Sequence, residues 1–142
     1  MASLTLETNN RDRIAELLSD DAWIVTCLCA AWCDVCNAFR PEFDALAARY
    51  PDCRFIWIDI EDQSDMLDDI DVENFPTLLI QRADIVAFFG TVEPEQRLVE
   101  RLLLAQVEKT ASELQTEARS SPLRQAWQRD CNLRQRLHAV KS

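Results

Sequence analysis

Thr26 to Phe39 reads TCLCAAWCDVCNAF and places Cys27, Cys29, Cys33 and Cys36 within ten residues. Two chemistries compete for such a cluster: four thiolates gripping one metal ion, or one pair exchanging electrons while the other is packed away. The residues before it, Trp23–Ala30, are apolar apart from Thr26. That pattern predicts a strand buried on both faces, and hence a sheet covered by helices on either side. The residues after it predict a helix over Cys33–Tyr50, with Val35, Phe39, Phe43, Leu46 and Ala47 on one stripe and Pro41 as a kink.

The thiols thus straddle a strand-to-helix turn. The first residues of a helix leave backbone N–H groups unpaired, and with the helix dipole these stabilise a nearby anion. Cys33 falls there, and the thiolate is the reactive form of cysteine. Cys36 lies three residues on, on the same helix face and within disulfide reach. Cys33 can therefore attack a disulfide, and Cys36 can break the mixed disulfide that results. The metal reading fits less well. C-x-C-x3-C-x2-C matches neither a zinc ribbon nor a ferredoxin run, and Cys27 and Cys29 sit in a strand whose period of two fixes them on one face. A zinc or iron thiolate centre stays a third reading.

Outward from this stretch, Leu4–Leu6 reads as a short strand, Asp12–Leu18 as a helix and Arg54–Ile60 as a second buried strand. Thr77–Gln81 and Ile85–Phe89 read as a hairpin, and Glu93–Leu104 as a helix with Leu98, Val99, Leu102 and Leu103 on its apolar side. The fold class is α/β, layered, with a domain over 1–107 and a helical basic extension over 108–142. The 142 residues and 48% hydrophobic content allow one compact domain without covalent staples.

Charge is unevenly spread. Residues 1–100 carry a net −14 and residues 101–142 a net +4. An acidic body argues against nucleic-acid binding, whose affinity comes from cations on phosphates. No run approaches the roughly 18 apolar residues of a membrane span. MASLTLETNNRDRIAELL lacks a basic leader followed by an apolar run, so the expected location is cytoplasmic.

Trp32-Cys33-Asp34-Val35-Cys36 resembles the W-C-x-x-C of thioredoxins, and Phe75-Pro76-Thr77 resembles their later hydrophobic-Pro-Thr with its cis-proline. Pro41 matches the proline of their active-site helix, and Gly90 the glycine after their final strand. The similarity spans about residues 3–107. It implies a thioredoxin-like fold, a central mixed sheet with helices on both faces, and reduction of protein disulfides by dithiol exchange. By the same resemblance Cys33 is the nucleophile, Cys36 the resolving thiol, Trp32, Phe75 and Pro76 the substrate surface, and a redox-active Cys33–Cys36 disulfide stands in place of any cofactor. Electrons would return from a thioredoxin-reductase-type enzyme. The alternative is a thioredoxin-fold binding module with weak or no redox activity.

Three departures bear on that expectation. Asp34 and Val35 replace the usual Gly-Pro, and the Asp34 carboxylate opposes the helix dipole beside Cys33. Cys27 stands where the family has a buried Asp, and Trp57 where it has the paired Lys; losing both avoids an unpaired buried charge but removes a proton relay. Cys27 and Cys29 read as small buried hydrophobes, with an alternative Cys27–Cys36 bridge as the lesser reading. Between Asp59 and Glu73 lie eight acidic residues and no basic one, a segment expected to border the site and to favour basic or neutral substrates. Beyond Ser120-Ser121-Pro122, Leu123–Val140 reads as one helix with Leu123, Trp127 and Cys131 on one side. It would either pack on its own domain or dock a partner or a second copy of the chain.

Overall fold

The computed structural model describes residues 3–67, 70 and 72–140. Five strands, β1 (Leu4–Thr5), β2 (Trp23–Cys29), β3 (Arg54–Asp59), β4 (Thr77–Arg82) and β5 (Ile85–Thr91), form one sheet in the order β1-β3-β2-β4-β5. β1, β3 and β2 run parallel, and β4 and β5 antiparallel to their neighbours, so the sheet is mixed. The helices are α1 (Arg11–Leu17), α2 (Asp34–Arg49), α3 (Gln96–Val107), α4 (Ala111–Ala118), α5 (Pro122–Asp130) and α6 (Leu133–Val140).

Every residue of β2 is buried, as its unbroken apolar run predicts for a central strand. Its side chains alternate between two cores. Trp23, Val25, Cys27 and Cys29 join Phe39, Phe43 and Leu46 of α2, Val99 and Leu103 of α3, and Leu114 of α4. Ile24 and Leu28 join Ile14 of α1, Trp127 of α5, and Leu133 and Leu137 of α6. Residues beyond 107 therefore contribute to both cores. Burying Leu133 and Leu137 stabilises by about 1.5–3 kcal/mol each.

On the second face the chain leaves β3 through turns over residues 60–66, with Met66 and Leu67 tucked inward, and α5 and α6 close the remainder. The expected single helix over Leu123–Val140 is in fact two. Asn132 breaks it: its side-chain oxygen accepts from the Gln135 N–H at 3.1 Å, capping α6. The same oxygen accepts from Nε2 of the buried Gln81 at 2.6 Å, and Gln81 Oε1 accepts from the Leu133 N–H at 3.0 Å. Leu123, expected on the apolar side, is exposed. Gly90 lies inside β5, opposite Leu78, and not after it. Gln128 of α5 closes the outer edge of β5 by accepting from the Val86 N–H and donating to the Val86 carbonyl, both at 2.8 Å, which satisfies an edge strand that would otherwise offer free pairing groups.

Among the described residues the basic groups of the extension form no ion pair with the rest of the domain; those they form stay within the extension, Lys109–Glu117, Arg124–Glu117 and Arg129–Asp130. Arg134 and Arg136 donate instead to backbone carbonyls, of Ser19 and Met66. Apolar burial and the Gln81–Asn132 contact hold it.

Candidate active site

β2 ends at Cys29, the chain turns through Ala30–Trp32, and α2 begins at Asp34 with Cys33 as its N-cap. The turn is held from two sides. Asp59, at the end of β3, accepts from the Ala31 N–H at 3.0 Å, and Asn37 Nδ2 donates to the Ala31 carbonyl, also at 3.0 Å. Asp59 also accepts from the N–H groups of Glu61 and Asp62. The sequence reading missed both positioning residues. An Asp at a strand end followed within three residues by free N–H groups is a local turn signal that points to Asp59.

Cys33 is half-buried, and its side chain makes no capping hydrogen bond, so the sulfur stays free at the head of α2. Beside it Trp32 is 65% exposed and Val35 47% exposed, while Trp32 meets Phe75 edge-on with ring centroids 5.6 Å apart. The Phe75–Pro76 peptide bond is cis, and Pro76 itself is buried. The turn and the residues before β4 thus share one apolar surface, although more than forty residues separate Trp32 and Phe75 in the chain.

Below the turn the pairing differs from expectation. Cys36 is bonded to Cys29, with Cα atoms 6.0 Å apart, and Cys33 is a free thiol. The reason is the direction of the Cys36 side chain. It lies on the stripe of α2 that carries Phe39 and Phe43 into the core and is fully buried, whereas Cys33 precedes the first turn and faces out. Cys29, the last residue of β2, lies beneath it. Cys29 is therefore a bonded partner and not an inert packed thiol, and Cys36 is joined to it in place of the suggested Cys27. Cys27 Sγ lies 3.5 Å from Cys29 Sγ. Burial pushes the Cys27 thiol far up from its ordinary value, against the smaller opposing influence of Arg40, so Cys27 stays protonated.

Cys27 pairs in register with Trp57, so the two replacements noted in the sequence face each other across adjacent strands. Arg40 lies over the Trp57 ring, 4.7 Å from its centroid, donates to Thr5 Oγ1 at 2.9 Å and pairs with Asp44. Asp34 is exposed in the first turn of α2. Of the acidic link, Asp68, Asp69 and Asp71 lie outside the described residues. Asp65 pairs with Arg11 at 2.8 Å, and Glu73 is exposed.

A mixed sheet between helical layers, with a cysteine capping the helix that follows the central strand, defines the thioredoxin fold. The family model described as Thioredoxin matches residues 4–115, and the chain belongs to the thioredoxin family. It is 39% identical over 54 residues to thioredoxin of Ophiophagus hannah, across 38% of this chain and 51% of that one. To thioredoxin 2 of Streptomyces coelicolor it is 26% identical over 116 residues, covering 76% of this chain and 86% of its relative. Among solved structures, a poplar thioredoxin h superposes with a TM-score of 0.67 at 19% identity, over 78% of this chain and all of that one. No helix among the described residues is long and apolar enough to cross a membrane.

Proposed function

We propose that this protein is a thiol–disulfide oxidoreductase that reduces protein disulfides, with Cys33 as nucleophile and Cys36 as resolving thiol. The observation that carries the reading is a free, half-buried Cys33 at the N-cap of α2, ringed by exposed Trp32 and Val35 and by Phe75. Apolar surface beside a nucleophilic sulfur suits an extended segment of a protein substrate, whose backbone the chain around Phe75 can pair. No cofactor beyond the thiols is required. Electrons return from a dithiol reductant of the thioredoxin-reductase type, and the working compartment is a reducing cytoplasm, where dithiols persist.

Insulin reduction driven by dithiothreitol tests this. The expected result is catalysis by the wild type and a fall to the uncatalysed background in Cys33→Ser. Wild-type turnover no faster than background supports the binding-module reading, which draws on the buried bond that takes Cys36 away from Cys33.

A further inference from the structure

Four cysteine sulfurs lie at different depths between the surface and the core. Cys33 is half-buried at the surface; Cys36 is fully buried and bonded to Cys29, itself 1% exposed; Cys27 follows at 3.5 Å from Cys29. A two-cysteine exchange needs only the outer two. We propose that the oxidised form of this protein stores its disulfide inward, as Cys29–Cys36, by a third exchange that returns Cys33 to the free state. This rests on the reductase reading above and adds a step to it.

The exchange balances as follows. The Cys33 thiolate attacks one sulfur of the substrate disulfide, the substrate S–S bond breaks, and the first substrate thiolate leaves. Cys36, giving up its proton, attacks Cys33 Sγ; the mixed disulfide breaks, the second substrate thiolate leaves, and Cys33–Cys36 forms. Cys29, giving up its proton, attacks Cys36 Sγ; the Cys33–Cys36 bond breaks and Cys33 departs as a thiolate. The two protons released by Cys36 and Cys29 match the two taken up by the substrate thiolates. Two electrons pass from protein to substrate in the first two steps, and the third moves a bond without net oxidation.

Two consequences follow from burial. No outside thiol reaches Cys29 or Cys36 directly, so the store is sheltered from small thiols. Regeneration must begin with Cys33: its thiolate attacks Cys36 Sγ, Cys29 leaves, and the outer disulfide so formed is presented to a dithiol donor. In that reverse step the Cys27 thiol, in contact with Cys29 Sγ, can donate a hydrogen bond to the departing sulfur.

The test is a mass map of protein oxidised by a limiting amount of insulin, acid-quenched and alkylated with iodoacetamide. The expected product carries a Cys29–Cys36 bridge with the label on Cys33, and in Cys29→Ala the bridge becomes Cys33–Cys36 with Cys33 unlabelled. An inward preference of about tenfold or more raises the potential of Cys29→Ala above that of the wild type by about 30 mV or more. A wild-type end product bridged Cys33–Cys36 or Cys27–Cys29, or equal potentials in the two proteins, overturns the inward store while leaving the reductase reading intact. Failure of the reductase reading is recognised separately, by wild-type insulin turnover no faster than background or by turnover that survives Cys33→Ser, and it takes the inward store down with it. Because the wild-type map needs no variant, misfolding of Cys29→Ala leaves the test decisive.

Discussion

The two faces of the sheet are built in opposite ways. The face that carries the thiols is covered by α2, α3 and α4, joined to the sheet by apolar side chains, with Phe43 in contact with Phe39, Phe55 and Trp57, by the Cys29–Cys36 bond and by Arg40 donating to Thr5 Oγ1. The other face is covered by α1 from one end of the chain and by α5 and α6 from the other, and is pinned by buried amides, Gln81 to Asn132 and Leu133. Aromatic packing and the bond between β2 and α2 position the chemistry. On the other face directional hydrogen bonds add register to two short helices whose Trp127, Leu133 and Leu137 are buried beneath them.

That contrast can be broken most severely at Leu137, fully buried beneath the second face. Leu137→Ala is expected to cost about 2–5 kcal/mol, read as a lower urea midpoint of the reduced protein. If the faces are separable, its insulin turnover at temperatures where it stays folded changes little. Next comes Asn132→Ala, which removes one of the two acceptors of Gln81 Nε2, leaving the Ala83 carbonyl, and uncaps α6; an expected loss of about 1–3 kcal/mol should shrink markedly when Gln81→Leu is added, and a purely additive double mutant would show that the amides are not coupled.

Thr26 sharpens the comparison in the opposite direction. Its hydroxyl is buried in the middle of β2 with no hydrogen-bond partner among the described residues. Thr26→Val, which keeps the shape and removes the unpaired group, is expected to stabilise by about 1 kcal/mol, measured by chemical denaturation. The smallest effect concerns α4 on the thiol face. Glu113 accepts from the Thr110 N–H and its own N–H is accepted by Thr110 Oγ1, so its carboxyl is held below the usual carboxylate range by the backbone and then the side chain of Thr110. A lowered folded value contributes stability above the ordinary carboxylate range, lost as pH falls through the folded value. Glu113→Gln should therefore trail the wild type slightly at pH 7 and converge with it in acid; a gap independent of pH would place the effect elsewhere.

The first face was legible in the sequence because its signals are local. The apolar run of β2, the stripe on α2 and the hairpin of β4 and β5 each contain their own evidence, and the motif around Cys33 fixed how they assemble. The second face was not, because its core residues Trp127, Cys131, Leu133 and Leu137 follow no single helical period: Asn132 interrupts it, and the partner that forces the interruption, Gln81, lies some fifty residues away. The Cys29–Cys36 bond was hidden for a related reason. Spacing gave Cys27 and Cys29 a common face, yet which of them lies beneath Cys36 depends on where the helix axis crosses the strand, a tertiary quantity.

Leu133 and Leu137 close the sheet last, and that has a bearing on synthesis. Until the ribosome has made and released the segment around residue 137, Ile24, Leu28 and Ile56 of the nascent chain have cover only from α1 and the turns after β3. The thiol side can assemble earlier, around α2 and α3, leaving a half-finished domain with an apolar flank during translation.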